Sequence, residues 1–193
     1  MRHLKHLLAL LCVLLASQAA WAQSDGGSVG SVSWNYWTSG KLSITGSGSM
    51  KASTTQTSST TYGYDKYKGS ITTIEIGDNI TEISPYAFDG FTALTTVTWG
   101  SALKTIGAGA FQSCTGLKGD FDLGSITTLG DYAFSGTSIT SVTIPSGVET
   151  IPSNAFSGCT KLTSVKGCSG VKTISSYAFY NTGLTSFTIP SKV

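Results

Sequence analysis

The chain has 193 residues, 40% of them hydrophobic and only 11% charged, with a formal net charge of +2. Its one arginine is Arg2 and its histidines are His3 and His6, all within the first few residues. A chain that sheds them has no imidazole for Ser-His, Cys-His or His-zinc chemistry, and its neutral, arginine-free surface is a poor nucleic-acid binder.

The start of the chain reads as an export signal. Arg2 and Lys5 make it positive, residues 7–16 form an apolar run, and Ala20-Trp21-Ala22 is a small-x-small cleavage site. Residues 1–22 are therefore expected to be a signal peptide cleaved before Gln23, which leaves a secreted or cell-surface protein. The run is shorter than the roughly 20 residues of a membrane span, and no second run comes after it. Leu11 before Cys12 is too bulky for an ordinary lipoprotein signal. Losing Arg2 and Lys5 leaves ten lysines against ten acidic residues.

Residues 23–70 are expected to form an N-terminal cap of β-strands with a Ser/Thr-rich loop. Trp34, Trp37, Leu42 and Ile44 are candidates to cover the apolar end of a stacked array beginning at residue 71. The Ser/Thr run at residues 53–61 is too polar to pack. Tyr62-Gly63-Tyr64 comes after it.

Residues 71–193 repeat. The pairs Ala87-Phe88, Ala110-Phe111, Ala133-Phe134, Ala155-Phe156 and Ala178-Phe179 recur at spacings of 23, 23, 22 and 23. Regular periods of this length indicate stacked units, each burying its apolar face only against its neighbours. Apolar columns keep the same period: Ile83, Ile106, Leu129, Ile151, Ile174, then Ile80, Leu103, Ile126, Val148, Val171, then Leu94, Leu117, Ile139, Leu162, Leu184. Alternating Thr, Val and Ile predict half-buried strands at residues 73–76, 96–99, 141–144 and 186–189. In the third turn Phe121 and Leu123 point inward, with Asp120 and Asp122 outward. Gly107, Gly130, Gly136 and Gly158 stand where tight turns need backbone freedom. The last repeat is incomplete, with no cap after it. That suggests a truncated array or end-to-end self-association through the open turn.

The columns Leu-x-x-Val-x-Ile-Pro, Val-x-x-Ile, Ala-Phe and Gly-Cys, best seen at residues 139–159, resemble the treponemal-type leucine-rich repeat, the BspA-like family. The resemblance implies a β-rich solenoid. This would be a right-handed leucine-rich-repeat superhelix of about five to six turns of 22–23 residues, its parallel sheet on the concave face. It also implies a surface protein that attaches to host matrix proteins or to other cells.

Function is expected on the outward strand positions Glu75, Thr98, Asp120, Asp122, Thr143, Lys166 and Thr188, a stripe of hydroxyls and both charges. Solvated threonines chosen for strand propensity are the plainer account of it. Tyr86, Tyr132 and Tyr177 precede Ala-Phe in alternate turns and make a second outward row, suited to stacking on sugars or to shielding the phenylalanines. Trp99, in place of the usual Ile, is expected in the core. Asp120 and Asp122, perhaps with Asp131, form the acidic cluster. Too few oxygens surround it for calcium, and solvated charge is the better reading. Cys114 and Cys159 lie two turns apart, too far for a disulfide, and are expected as buried thiols. Cys168 could bridge two chains if exposed. Asn79-Ile80-Thr81 matches a glycosylation acceptor.

The chain is thus expected to be no enzyme, without cofactor, metal site or catalytic residue. Its partner is expected to be an extracellular protein or a glycan, not nucleic acid. The alternatives to adhesion are a glycan-binding module of a polysaccharide-capture system and a spacer fragment with no ligand of its own.

Overall fold

A strand with one apolar face needs a neighbour, and a repeat supplies one every turn. The structure, a computed structural model, describes residues 23–50 and 62–193 of the resulting coil. The expected signal peptide and the Ser/Thr run lie outside the described residues.

Three antiparallel strands come first, β1 (Gln23–Val29), β2 (Val32–Trp37) and β3 (Lys41–Gly46). The two-residue β4 (Gly48–Ser49) is next, and later a single 3-10 turn at Asp65–Tyr67. In each turn a strand is then followed by a second one of equal or shorter length. These strands are β5 (Thr73–Ile76), β6 (Ile80–Ile83), β7 (Thr96–Thr98), β8 (Thr105–Ile106), β9 (Lys118–Asp122), β10 (Thr128–Leu129), β11 (Ser138–Ile144), β12 (Thr150–Ile151), β13 (Ser164–Gly167) and β14 (Thr173–Ile174).

The first strands of the turns stack in parallel from β3 onward, within the sheets β1-β2-β3-β5-β7 and β9-β11-β13. The second ones stack as β4-β6-β8-β10 and β12-β14. The molecule is therefore a β-solenoid. Its five first strands from β5 to β13 are joined by four full circuits, about four turns against the five to six expected. Residues 186–189, expected as a further strand, form none. Phe187 there is half-buried and Ile189 is 66% exposed, so the alternation buries too little to hold a strand.

A third face is built from turns. Each Ala-Phe turn donates three backbone hydrogen bonds to the next: Tyr86 N–H to Ala108 O at 2.8 Å, Phe88 N–H to Ala110 O at 2.9 Å and Gly90 N–H to Gln112 O at 2.7 Å. The pattern recurs as far as Gly158 N–H to Tyr180 O at 2.8 Å. The turns are thus paired much as strands are, which satisfies backbone groups that a buried loop would leave orphaned.

Inside, the phenylalanines form a continuous stack. Phe88, Phe111, Phe134, Phe156 and Phe179 succeed one another at 5.3, 5.3, 5.8 and 5.6 Å between ring centres. Tyr64 begins the stack, 5.8 Å from Phe88. Tyr62 and Tyr64 are buried, and their hydroxyls donate to Pro85 O (3.2 Å) and Ala87 O (3.3 Å). Burial raises the Tyr62 phenol to about 12 and pushes Tyr64 up as well. Trp34, Leu42 and Ile44 are buried as expected. Trp37 is not: it is half-buried, with Lys41 Nζ 5.4 Å over its ring.

The glycines divide into two kinds. Gly136 and Gly158 have φ of +72° and +75°, the left-handed conformation that glycine adopts freely. Gly107 and Gly130 do not. A Cβ at Gly107 would lie 2.5 Å from Pro85 N, and one at Gly130 would lie 2.3 Å from Ala108 N. Close approach of successive turns, not backbone freedom, requires glycine at these two.

The thiols are free and buried. Cys114 Sγ lies 3.1 Å from Phe88 O and Cys159 Sγ 3.1 Å from Phe134 O, each reaching back one turn. Burial pushes the Cys114 thiol up to about 12 and raises Cys159 and Cys168 too. Cys168 is buried, so the cross-chain bridge considered for it has no exposed sulfur to form from.

Candidate functional site

A strand's outward side chains inherit their spacing from the register of the ladder, so register decides which of the stripe residues meet. Glu75 on β5 pairs directly with Thr98 on β7, and with Ser43 on β3 at its other side. Asp122, Thr143 and Lys166 form a second row across β9, β11 and β13. Asp120 stands two residues back, opposite Ser141, and its carboxylate is 3.8 Å from Lys166 Nζ.

The stripe is not continuous. Between β7 and β9 there is no ladder, and the sheets meet instead through Trp99, whose indole N–H donates to Asp122 O at 2.8 Å. The third turn is itself irregular. Gly119 has a φ of +83°, and the β9–β11 register slips beside it, between Ile139 and Ser141. Trp99 packs edge-on against Phe111 (5.7 Å) and Phe121 (5.6 Å) and keeps part of its surface open. It is a hinge piece between two sheets, neither wholly core nor wholly contact.

Thr188 lies outside any strand. It lines a concavity of about 740 Å³ between β13 and residues 186–192, along with Val165, Cys168 and Phe187. Sequence reasoning missed Lys41, whose ammonium sits 2.8 Å from the Glu75 carboxylate. Only the β3–β5 register brings the two together, so no sequence spacing announces the pair.

The acidic cluster separates. Asp122 Oδ1 accepts the Gly124 N–H at 2.9 Å, and Asp131 Oδ1 accepts the Ser153 N–H at 3.0 Å on the turn face. Among the described residues no three His, Cys, Asp or Glu side chains converge in a way that could hold a metal.

Tyr86, Tyr132 and Tyr177 do share one place in the coil. With Gly109 and Asn154 they occupy the same corner in five consecutive turns, with φ of 57°, 59° and 59° for the tyrosines, 60° for Gly109 and 56° for Asn154. The left-handed region disfavours a side chain with a Cβ by roughly 1–2 kcal/mol. Tyr132 is 42% and Tyr177 64% exposed, whereas Tyr86 is half-buried. The Tyr86 ring lies across the next turn, where a Cβ on Gly109 would come within 2.4 Å of it.

Comparison with known proteins comes to the same architecture. A family model described as the BspA type leucine rich repeat region matches residues 55–122 and 101–193, with six copies. The structure is similar to a leucine rich cell surface protein from Faecalibacterium prausnitzii (29% identity, TM-score 0.61, 90% of this chain and 51% of that one). It is also similar to a leucine-rich repeat protein from Eubacterium ventriosum (21% identity, TM-score 0.58, 88% and 61%). The chain thus spans about half to three-fifths of the length of these two proteins. Among curated proteins, none matches it significantly.

Proposed function

The chain belongs to the BspA-type leucine-rich-repeat family, and from that we propose that it is an exported, non-catalytic protein that binds other proteins at the cell surface. The proposed partners are host matrix proteins or neighbouring cells. The observation that carries the reading is the row Asp122, Thr143, Lys166, with Asp120 beside it, on a rigid parallel sheet. A ladder holds these groups at fixed spacing before a partner arrives, which lowers the ordering cost of binding. Surface location is supported by the similarity to a bacterial protein described as a leucine rich cell surface protein. Asp120 and Lys166 are both exposed, so the contact is of the salt-sensitive kind.

The test is retention of the folded chain on immobilised fibronectin, laminin and collagen, with a heat-unfolded control. The expected result is retention of the folded sample alone, weakened by salt and lost when Asp120, Asp122 and Lys166 are replaced by Ser. Unchanged retention of that triple variant would remove the stripe from the reading, and no retention of folded protein would remove adhesion.

A further inference from the structure

The corner that carries Tyr86, Tyr132 and Tyr177 presents a contradiction. It calls for glycine or asparagine, and in two of five turns it has them, Gly109 and Asn154. The other three turns hold tyrosine in a strained backbone conformation, and with Tyr132 42% and Tyr177 64% exposed, burial offsets only part of the strain. A second exposed ring, Tyr180, sits edge-on to Tyr177 at 5.5 Å.

The spacing points to what such rings would hold. Tyrosines two turns apart are separated by about 10 Å at the usual distance between stacked strands. That is the length of a β-1,4-linked disaccharide. In an extended chain of this kind successive sugars are flipped, so every second ring turns the same face to one side. The flat face of an all-equatorial pyranose is a plane of C–H groups, which suits the negative face of an aromatic ring. Asn154 occupies the same corner in the turn between Tyr132 and Tyr177.

We infer that the tyrosine corner is a binding site, separate from the sheet stripe, for an extended β-1,4-linked glycan whose alternate rings stack on Tyr86, Tyr132 and Tyr177. The contact uses no charge, so it is insensitive to salt. It stands whether or not the stripe binds protein.

Calorimetric titration of the full chain with cellohexaose, and with maltohexaose as its coiled α-linked isomer, tests this. The expected result is binding of cellohexaose only, unaffected by salt. Y132N and Y177N each weaken it about tenfold or more, by analogy with the loss of one ring that stacks on a nucleobase. Y132N should melt at or above the parent temperature, since asparagine suits the corner, and Y132F should bind like the parent. Absence of cellohexaose binding, equal binding of maltohexaose or full affinity in Y132N and Y177N would each overturn the inference. So would Y132N losing stability together with binding, which would make the tyrosine structural. If Y132N instead abolishes retention on matrix proteins while cellohexaose fails to compete, the corner serves a protein and the glycan assignment is wrong.

Discussion

The Phe134 ring lies between Phe111 and Phe156 at 5.3 and 5.8 Å, nearly parallel to both, with Phe121 against its edge at 5.3 Å. Solvent does not reach it. Deleting such a ring removes its transfer energy and leaves a cavity that the neighbouring turns, tied by backbone hydrogen bonds, are poorly able to close. Phe134→Ala is expected to cost about 3–5 kcal/mol, read from urea unfolding of the two proteins. A loss below about 1 kcal/mol would mean that the stack yields and does not hold the coil. This column was plain in the sequence, because one residue type recurs at one period. Tyr64 plays the same part and was not plain, since Gly63 precedes it in place of Ala and it stands 24 residues before Phe88, off the period of 22–23.

Among the elements, the hairpin of β1 and β2 joins the coil through the β2–β3 ladder, and one ionic contact adds to it. Lys66 Nζ lies 2.5 Å from the Asp25 carboxylate, which also accepts the Tyr67 hydroxyl at 2.7 Å, while Tyr67 stacks on Tyr36 at 3.9 Å. The Lys66 ammonium and the Tyr67 hydroxyl hold the Asp25 carboxyl down at about 2, below its ordinary 3.8. A carboxyl depressed in the folded state contributes above its unfolded value and loses that contribution as pH falls through the folded one. D25N should therefore be less stable than the parent at neutral pH. The difference should shrink as pH falls through 3.8 toward 2 and be lost below that. Urea midpoints of both proteins across that window check it, and a difference independent of pH would show that the contact is not ionic. The lysine is well exposed, so the effect is modest. A β cap was legible here but its strand positions were not, and the pairing Asp25–Lys66 spans 41 residues, so only the folded hairpin creates it.

Across the whole molecule, protection falls along the coil. Turns from β5 to β12 bury their apolar columns completely or nearly so, whereas Ile174, Phe179, Leu184 and Phe187 are only half-buried and Ile189 is exposed. In a stacked array each turn draws stability from its neighbours, and local opening occurs where contacts are thinnest. Among the described residues, hydrogen exchange should therefore be faster in residues 184–193 than in the backbone bonds between the Ala-Phe turns at Phe111, Phe134 and Phe156. Uniform exchange along the chain would indicate a single cooperative unit instead. The break between β7 and β9 is a second feature of this scale. Its materials, Trp99-Gly100 and the shifted Phe121, could be read in advance, but the division into two sheets could not.

The sequence by itself determined the solenoid, because a column repeated at one period can be buried in only one kind of way: each turn against the next. It also determined the inward columns of the repeats, since alternation in a strand leaves only two choices. Tertiary structure decided the rest: which outward groups share a row, that Lys41 meets Glu75, that Asp131 stands apart from Asp122, and that three tyrosines occupy a left-handed corner. These depend on register and on the local backbone angle, which are settled by contacts between turns and leave no periodic mark on the chain.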